Sequence, residues 1–461
     1  MHYLIYYAAK EDLLMADYKT ILKNQKEDLG ELLKADVLVR ERMSGIDLGS
    51  PCAQVVIGVR RSGKSILCLT AFKTAGVPFG FVTFDDESLD GIEAADLDEI
   101  LKAVYVVYGP VKHLFLDEIQ DAPKWQLFVN RLLRKGLHIV VSGSNARLLS
   151  SELATHLTGR FVSTELFPFS FAEYRAYMKR KRPETTREKA EARRDYEHYA
   201  LHGGMPETFH MIDARGYLRD IYNAILFRDI LKRHKLRNPQ TLSDISRLLM
   251  ESYALEVSYA NIANRLGIKS VHTVQTYAGY LESAYLIQTV NRFSFKTAER
   301  LKLGKVYCID PGFISYASGV LEGAENRGRR LENIVFLQLR SLREKLDYEI
   351  YYYRDQSHEV DFVLRHFGKI KRLVQVCWDI SDGKTRKREL SALFEVGRKL
   401  KCDDLLLVTD HEDEIAKEGS QTIRVVNVVD WLLEAPMVAT ADWGRMPARG
   451  VSEGWRGRRG M

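Results

Sequence analysis

The stretch GVRRSGKS, Gly58 to Ser65, follows the apolar run Gln54 to Ile57 and leads directly into the apolar, helix-favouring run Ile66 to Ala71. Glycines at both ends of a four-residue gap let successive backbone N–H groups turn inward as an anion nest. Lys64 is then placed to reach the terminal phosphates of a nucleotide and Ser65 to hold magnesium, while Gly58, Arg61, Ser62 and Gly63 line the loop. Strand, phosphate loop and helix stand in the order that such a site needs.

Hydrolysis needs more than a phosphate cradle, and the next apolar strand supplies it. Val111 to Gln120 reads VKHLFLDEIQ and ends in two carboxylates. Asp117 is placed for the Mg2+ shell and Glu118 to polarise the attacking water. A third strand, His138 to Val141, runs into SGSN, where Ser142 is the first choice for sensing the γ-phosphate and Asn145 the second. In LTGR, Arg160 stands where a charge-stabilising arginine could reach the nucleotide of its own or a neighbouring subunit, which leaves room for a homo-oligomer; a salt-bridged structural arginine is the other reading.

The 461 residues, 46% of them hydrophobic, suffice for more than one core, and about 150 residues per domain suggests roughly three. No apolar run approaches the ~20 residues of a membrane span, so no membrane partner is expected. The N-terminal YLIYYAA meets Lys10 and Glu11 at once and does not read as a signal peptide. Cys52, Cys68, Cys308, Cys377 and Cys402 are odd in number and show no metal spacing, which points to reduced thiols in a cytoplasm. Half of the net charge of +6 falls in the last 25 residues, where five arginines face only Asp442 and Glu453, so bulk charge says little about a DNA-binding body.

In chain order, residues 1–47 read as a helical segment packing on the nucleotide domain. Residues 48–169 alternate strands with helices, the pattern of a parallel sheet with nucleotide at the carboxyl ends of its strands. A helical lid or linker follows over 170–238. It includes the charged KRKRPETTREKAEARRD, a break at HGGMP, and a helix ending in FRDILKRHK whose basic end suits either the helix dipole or a phosphate backbone. Residues 239–298 read as a winged helix-turn-helix. SYANIANRLGI and Val271 to Ala284 are its helices, and YLIQTVNRFSF can form a two-stranded wing. His272, Thr273, Gln275 and Thr276 are its candidates for DNA contact, with a protein-packing module as the alternative.

After a Gly-rich connection over 299–328, residues 329–435 give helix, three strands, helix, strand, the order of a restriction-endonuclease-like core. Its metal ligands would be Glu332, Asp361 and Gln375. Such a site needs an acid, a spacer and a lysine, and here the chain reads QVC, with Gln375 and Cys377 at those positions. A catalytically silent, nuclease-like domain is the expectation. The Gly- and Arg-rich tail, 436–461, shows no periodicity and is expected to be disordered.

The set GVRRSGKS, FLDEIQ, SGSNARLLSSELATHLTGR, LFPFSFAEY, LHGGMPE, FRDI, RRLENIVF, EVDFVL and LVQVCWD resembles a large prokaryotic family of AAA-like P-loop ATPases with a winged helix and a C-terminal restriction-endonuclease-like domain. The resemblance implies an ATPase core with Gly63, Lys64, Ser65, Asp117 and Glu118 in the roles given above, and ATP and Mg as its ligands. The leading expectation is a Mg-dependent ATPase coupling hydrolysis to engagement of DNA. A nucleotide-regulated protein-binding switch or scaffold and an ATP-dependent nuclease are the alternatives.

Overall fold

The computed structural model describes residues 2–34, 37–146, 159–295, 304–317 and 324–438. The chain divides into two compact units, residues 1–291 with 296–337, and residues 292–295 with 338–461. Most of the expected basic tail lies outside the described residues.

The first unit is built on a parallel sheet in the order β2-β3-β4-β1-β5, with β1 Ala53–Ile57, β2 Phe79–Thr83, β3 His113–Asp117, β4 His138–Gly143 and β5 Phe161–Glu165. The central strands are buried along their length, as expected of a sheet covered on both faces. This order places β3, β4 and β1 side by side. The phosphate loop after β1 and the acids ending β3 therefore share one edge. Helix α1, His2–Lys34, packs Leu22 and Leu29 into the domain, and its Gln25 both donates to and accepts from the backbone of Thr83. Helices α2 (Lys64–Ala75), α3 (Asp96–Tyr108) and α4 (Trp125–Arg134) complete the layers around a core that includes Phe72, Phe81 and Phe115.

The charged stretch after residue 179 forms an ordered helix, Thr186–His202, started by a capping box between Thr185 and Glu188 and burying Ala192, Tyr196 and Tyr199. It ends at the HGGMP break. There the Gly204 carbonyl accepts from Phe169 N–H in the sheet's exit segment at 2.7 Å, and the Gly204 N–H donates to the carboxylate of buried Asp310 at 2.7 Å. The next helix, Ala214–Ala224, passes into a π-helical segment, Ile225–Lys232, that carries FRDI.

Three helices, Pro239–Glu251, Tyr259–Arg265 and Val271–Ser283, then stand with an antiparallel sheet in the order β6-β8-β7: β6 Leu255–Val257, β7 Ile287–Asn291 and β8 Gly304–Cys308. The expected two-stranded wing within YLIQTVNRFSF is thus corrected. That stretch supplies β7 alone, and its partner is a buried strand from the segment expected to be a linker.

The second unit holds a six-stranded sheet in the order β13-β14-β12-β11-β10-β9. Strands β9 (Glu349–Arg354), β10 (Glu359–His366) and β11 (Lys369–Val376) form an antiparallel meander, and β11, β12 (Leu405–Thr409) and β14 (Gln421–Asn427) run parallel. Helix Gly383–Leu400 covers one face through Leu390, Leu393 and Phe394. Strand β13, Glu414–Glu418, was not legible beforehand, because EIAKE is an edge strand with little apolar content.

A Cβ at Gly204 would stand 2.1 Å from the Phe169 carbonyl oxygen, a backbone atom that cannot step aside. Gly204→Ala is expected to cost about 1 to 3 kcal/mol, read as a lower urea midpoint with unchanged slope.

Candidate nucleotide site

The loop after β1 turns on two residues with left-handed backbone, Arg61 (φ 66°) and Gly63 (φ 91°), and α2 begins at Lys64, so its first N–H groups face the cavity. Gly58 is required for a different reason, since a Cβ there would lie 1.9 Å from the Leu166 carbonyl oxygen of the adjoining strand exit. The Lys64 side chain is 3% exposed; its ammonium donates to the Val59 carbonyl at 3.1 Å and lies 3.5 Å from Glu118.

Asp117 is buried at the end of β3 with its two oxygens each 2.9 Å from the Ser65 hydroxyl. Neighbouring ligands of an octahedral Mg2+, at about 2.0–2.1 Å from the ion, stand about 2.9 Å apart, so this pair fits a divalent cation. Ser142, at the carboxyl end of β4, stands against both acids. Its hydroxyl donates to Asp117 and accepts the Glu118 N–H at 3.1 Å, which locks the acidic corner. Glu118 itself has left-handed backbone (φ 48°), an uncommon state for a carboxylate residue, and Gln120 Nε2 donates to its side chain at 2.5 Å and to Ser144 at 3.3 Å. Asn145 is also buried beside this corner in sequence.

The environments of the two acids differ. Burial, then the neighbouring Glu118 charge, pushes Asp117 up to about 6 against the opposing pull of Ser142, Ser65 and Lys64. Burial alone would also raise Glu118, but Lys64, the Gln120 hydrogen bond and Arg60 outweigh it and hold this carboxyl below its ordinary range. Glu118 is thus the more firmly ionised of the two acids.

The mouth carries charges that the motif did not announce. Arg60 bonds to Asp229 through two nitrogens at 3.2 Å and to Asp85 at 3.2 Å; Arg228 also pairs with Asp85, and Arg233 reaches Asp121 at 3.4 Å. FRDI therefore sits against the phosphate loop, and its Arg228 and Asp229 border the same cavity as Lys64 and Ser65. Buried Arg40 ties the loop from the other side. It grips Glu173 at 2.8 and 2.9 Å and donates to the carbonyls of Ser62 and Phe167. Exposed Arg61 pairs with Glu207 at 3.5 Å, just after HGGMP.

Arg160 is placed elsewhere. Its carbonyl accepts from Ala53 at the start of β1, and Phe161 pairs with Ala53, so Arg160 stands at the amino ends of the strands. Five strand residues, about 15 Å, separate that end from the phosphate loop. It bonds to Asn130 there at 3.4 Å, and reach to the nucleotide of its own chain is ruled out. Glu332 belongs to the first unit, where Lys305 at 3.0 Å and Tyr307 at 2.7 Å donate to it. Asp361 and Gln375 lie in the second: Asp361 N–H donates to Gln375 Oε1 at 3.2 Å, Gln375 Nε2 donates to Glu389 at 2.8 Å, and Val376 N–H donates to the Asp361 carboxylate at 3.0 Å. Among the described residues no cluster of three or more His, Cys, Asp or Glu is arranged to hold a metal, and no helix is long and apolar enough to cross a membrane.

Residues 51–175 match the family model of an AAA domain, while residues 193–323 and 327–431 match two domains of unknown function, DUF8612 and DUF4143. The uncharacterized protein MJ1544 of Methanocaldococcus jannaschii is 34% identical over 374 residues, 78% of this chain and 82% of that protein. An uncharacterized protein of Haemophilus influenzae is 29% identical over 397 residues, 83% of this chain and 94% of its own length. The chain belongs to one family with MJ1544, and its residues 51–175 form an AAA-like P-loop domain. Among solved structures it resembles the Walker-type ATPase PABY2304 of Pyrococcus abyssi, 15% identical, at a TM-score of 0.40 over 63% of this chain and the whole of that one.

Because Asp117 is raised, a cation must displace its proton to bind at acid pH. Mg2+ affinity of the nucleotide-loaded protein is expected to climb with pH up to about 6 and then level, measured by calorimetry, and Asp117→Asn should remove both the affinity and this profile.

Proposed function

We propose that the chain is a Mg2+-dependent ATPase whose turnover is coupled to engagement of DNA. The observation that carries the ATPase reading is the paired corner at the end of β3. Asp117 shares the Ser65 hydroxyl at cation-ligand spacing, and Glu118 is kept ionised beside Lys64. Lys64 and the loop N–H groups would hold the phosphates, Mg2+ would neutralise their charge, and Glu118 would take the proton of the attacking water. Ser142 acts in this reading as a positioning residue for the two acids. Arg228 and Arg233, both partnered by acids at the mouth, would turn toward an incoming γ-phosphate. Arg160 could serve only the nucleotide of a second copy.

The DNA part rests on the helix-turn-helix made by Tyr259–Arg265 and Val271–Ser283 with its three-stranded sheet, which supports a winged-helix reading. Arg265, Lys269, His272 and Gln275 are exposed along this element, and Thr273 and Thr276 are half-buried on the second helix. In the second unit, the order β9-β10-β11, helix, β12 supports the restriction-endonuclease-like reading. The closed hydrogen-bond chain from Asp361 through Gln375 to Glu389, with Cys377 where a lysine would stand, supports its being catalytically silent.

Two measurements test this. Glu118→Gln keeps shape and most hydrogen bonds but removes the base, so ATP should still bind while steady-state hydrolysis falls by about 100-fold or more. Retained turnover would assign the water to another group. Arg265→Ala with Lys269→Ala should lower the salt slope of duplex binding by about 1.8 if both touch phosphate. A slope and affinity equal to the unaltered protein would turn the helix-turn-helix into a packing module.

A further inference from the structure

The hairpin joining β10 to β11 has a tip that costs the fold more than it returns. His366 pairs with Lys369, so the turn is the two residues Phe367 and Gly368, with φ of 43° and 78°. Two consecutive positive φ values define the tight hairpin turn that favours Asn-Gly, because a bulky side chain at the first position is sterically opposed. Here that position holds a phenylalanine, and its side chain packs into no core: Phe367 is 83% exposed. Local strain and a bare aromatic ring at one residue are both unfavourable to stability, which is the pattern of a side chain kept for an external contact.

The surroundings say what kind. The His366 ring lies beside it, centroids 4.3 Å apart, so the tip presents two adjoining rings. Lys369 opens β11 beside the turn and Lys371 follows two residues on, at the bulge where Leu364 pairs with Arg372 and Arg365 with Ile370, and neither lysine side chain has a hydrogen bond or ion pair among the described residues. Arg365 stands on the other strand, ion-paired with Glu349 at 3.1 Å, and His366 Nδ1 is hydrogen-bonded to the Asp347 carbonyl. A single ring bordered by free cations is too small and too charged for an apolar protein groove, which needs a contiguous patch. It matches a nucleic-acid strand, whose repeating unit is a flat base beside a phosphate.

We propose that the Phe367 hairpin is a single-strand binding element, with an unpaired base stacked on Phe367 and the neighbouring phosphates on Lys369 and Lys371. This rests on the reading that the chain engages DNA and adds a second contact, in a different unit from the helix-turn-helix and for a different form of the nucleic acid. The base-stacking ring sets the affinity and the lysines set its salt dependence.

The test is fluorescence anisotropy of the full chain with a labelled oligothymidylate longer than the ~4–16 nucleotides of a typical single-strand site. Phe367→Asn restores the preferred Asn-Gly turn, so it should hold or raise the melting temperature while weakening single-strand binding by about 5- to 100-fold at unchanged salt slope. Lys369→Gln with Lys371→Gln should lower that slope by about 1.4. Unchanged single-strand affinity in Phe367→Asn overturns the proposal, and it leaves the DNA reading standing if duplex binding still depends on Arg265 and Lys269. Loss of sedimentation with phosphatidylglycerol vesicles in Phe367→Asn, without loss of oligonucleotide binding, would assign the hairpin to a membrane surface and overturn it too. No binding of either strand form by the unaltered protein removes both readings together.

Discussion

Two adjacent carboxylates at the buried end of a parallel strand are the constraint around which the first unit is arranged. Taking one carboxylate out of water is expensive, and taking two neighbours is more so. The fold meets this by giving each acid a different set of partners. Asp117 receives two hydroxyls, from α2 and from β4, while Glu118 receives an ammonium and an amide. Ser65 and Lys64 come from the start of α2 and Ser142 from β4. The strand order β3-β4-β1 is what brings them to one place, so topology and electrostatics here are a single requirement.

The ion pairs at the mouth follow from the same cost. Arg60 and Asp229 have side chains only 11% and 5% exposed, and desolvating such a pair roughly cancels its attraction. Its value lies in position: removing one partner would leave a buried charge unmatched, at about 3 to 5 kcal/mol. A polyphosphate entering the cavity adds negative charge among Arg60, Arg228 and Arg233, each now matched by an aspartate. Charge balance then favours exchange of Asp85 or Asp121 for phosphate, which would couple the π-helical FRDI segment to nucleotide occupancy without any long-range device.

What the sequence made legible was local. GVRRSGKS and FLDE are contiguous, and their chemistry depends on neighbours one to eight residues away. Most of the second unit's strands could be read because apolar runs and turn residues mark them. Arg40 with Glu173 and Arg60 with Asp229 could not, since the partners stand 133 and 169 residues apart and no periodicity joins them. Ser142 was found at the right strand end, but which neighbour its hydroxyl would meet depends on register. Arg160 shows the same limit: its distance from the phosphate loop is set by pairing with Ala53, and nothing in LTGR discloses that. Strand β8 was hidden because its partner lies beyond an intervening segment.

Register also explains why a glutamine suits position 375. An ionised acid there would face Asp361 and Glu389 together and could donate to neither, an arrangement that favours a bound cation or a captured proton. Glutamine has one acceptor and two donors on the same group. Its oxygen takes the Asp361 N–H and its nitrogen gives to Glu389, so the corner is satisfied without a metal. Burial still raises Glu389, opposed by Arg388, so one carboxylate in the corner remains easy to protonate. The amide at this one strand position therefore joins the two acids on either side of it through hydrogen bonds of its own.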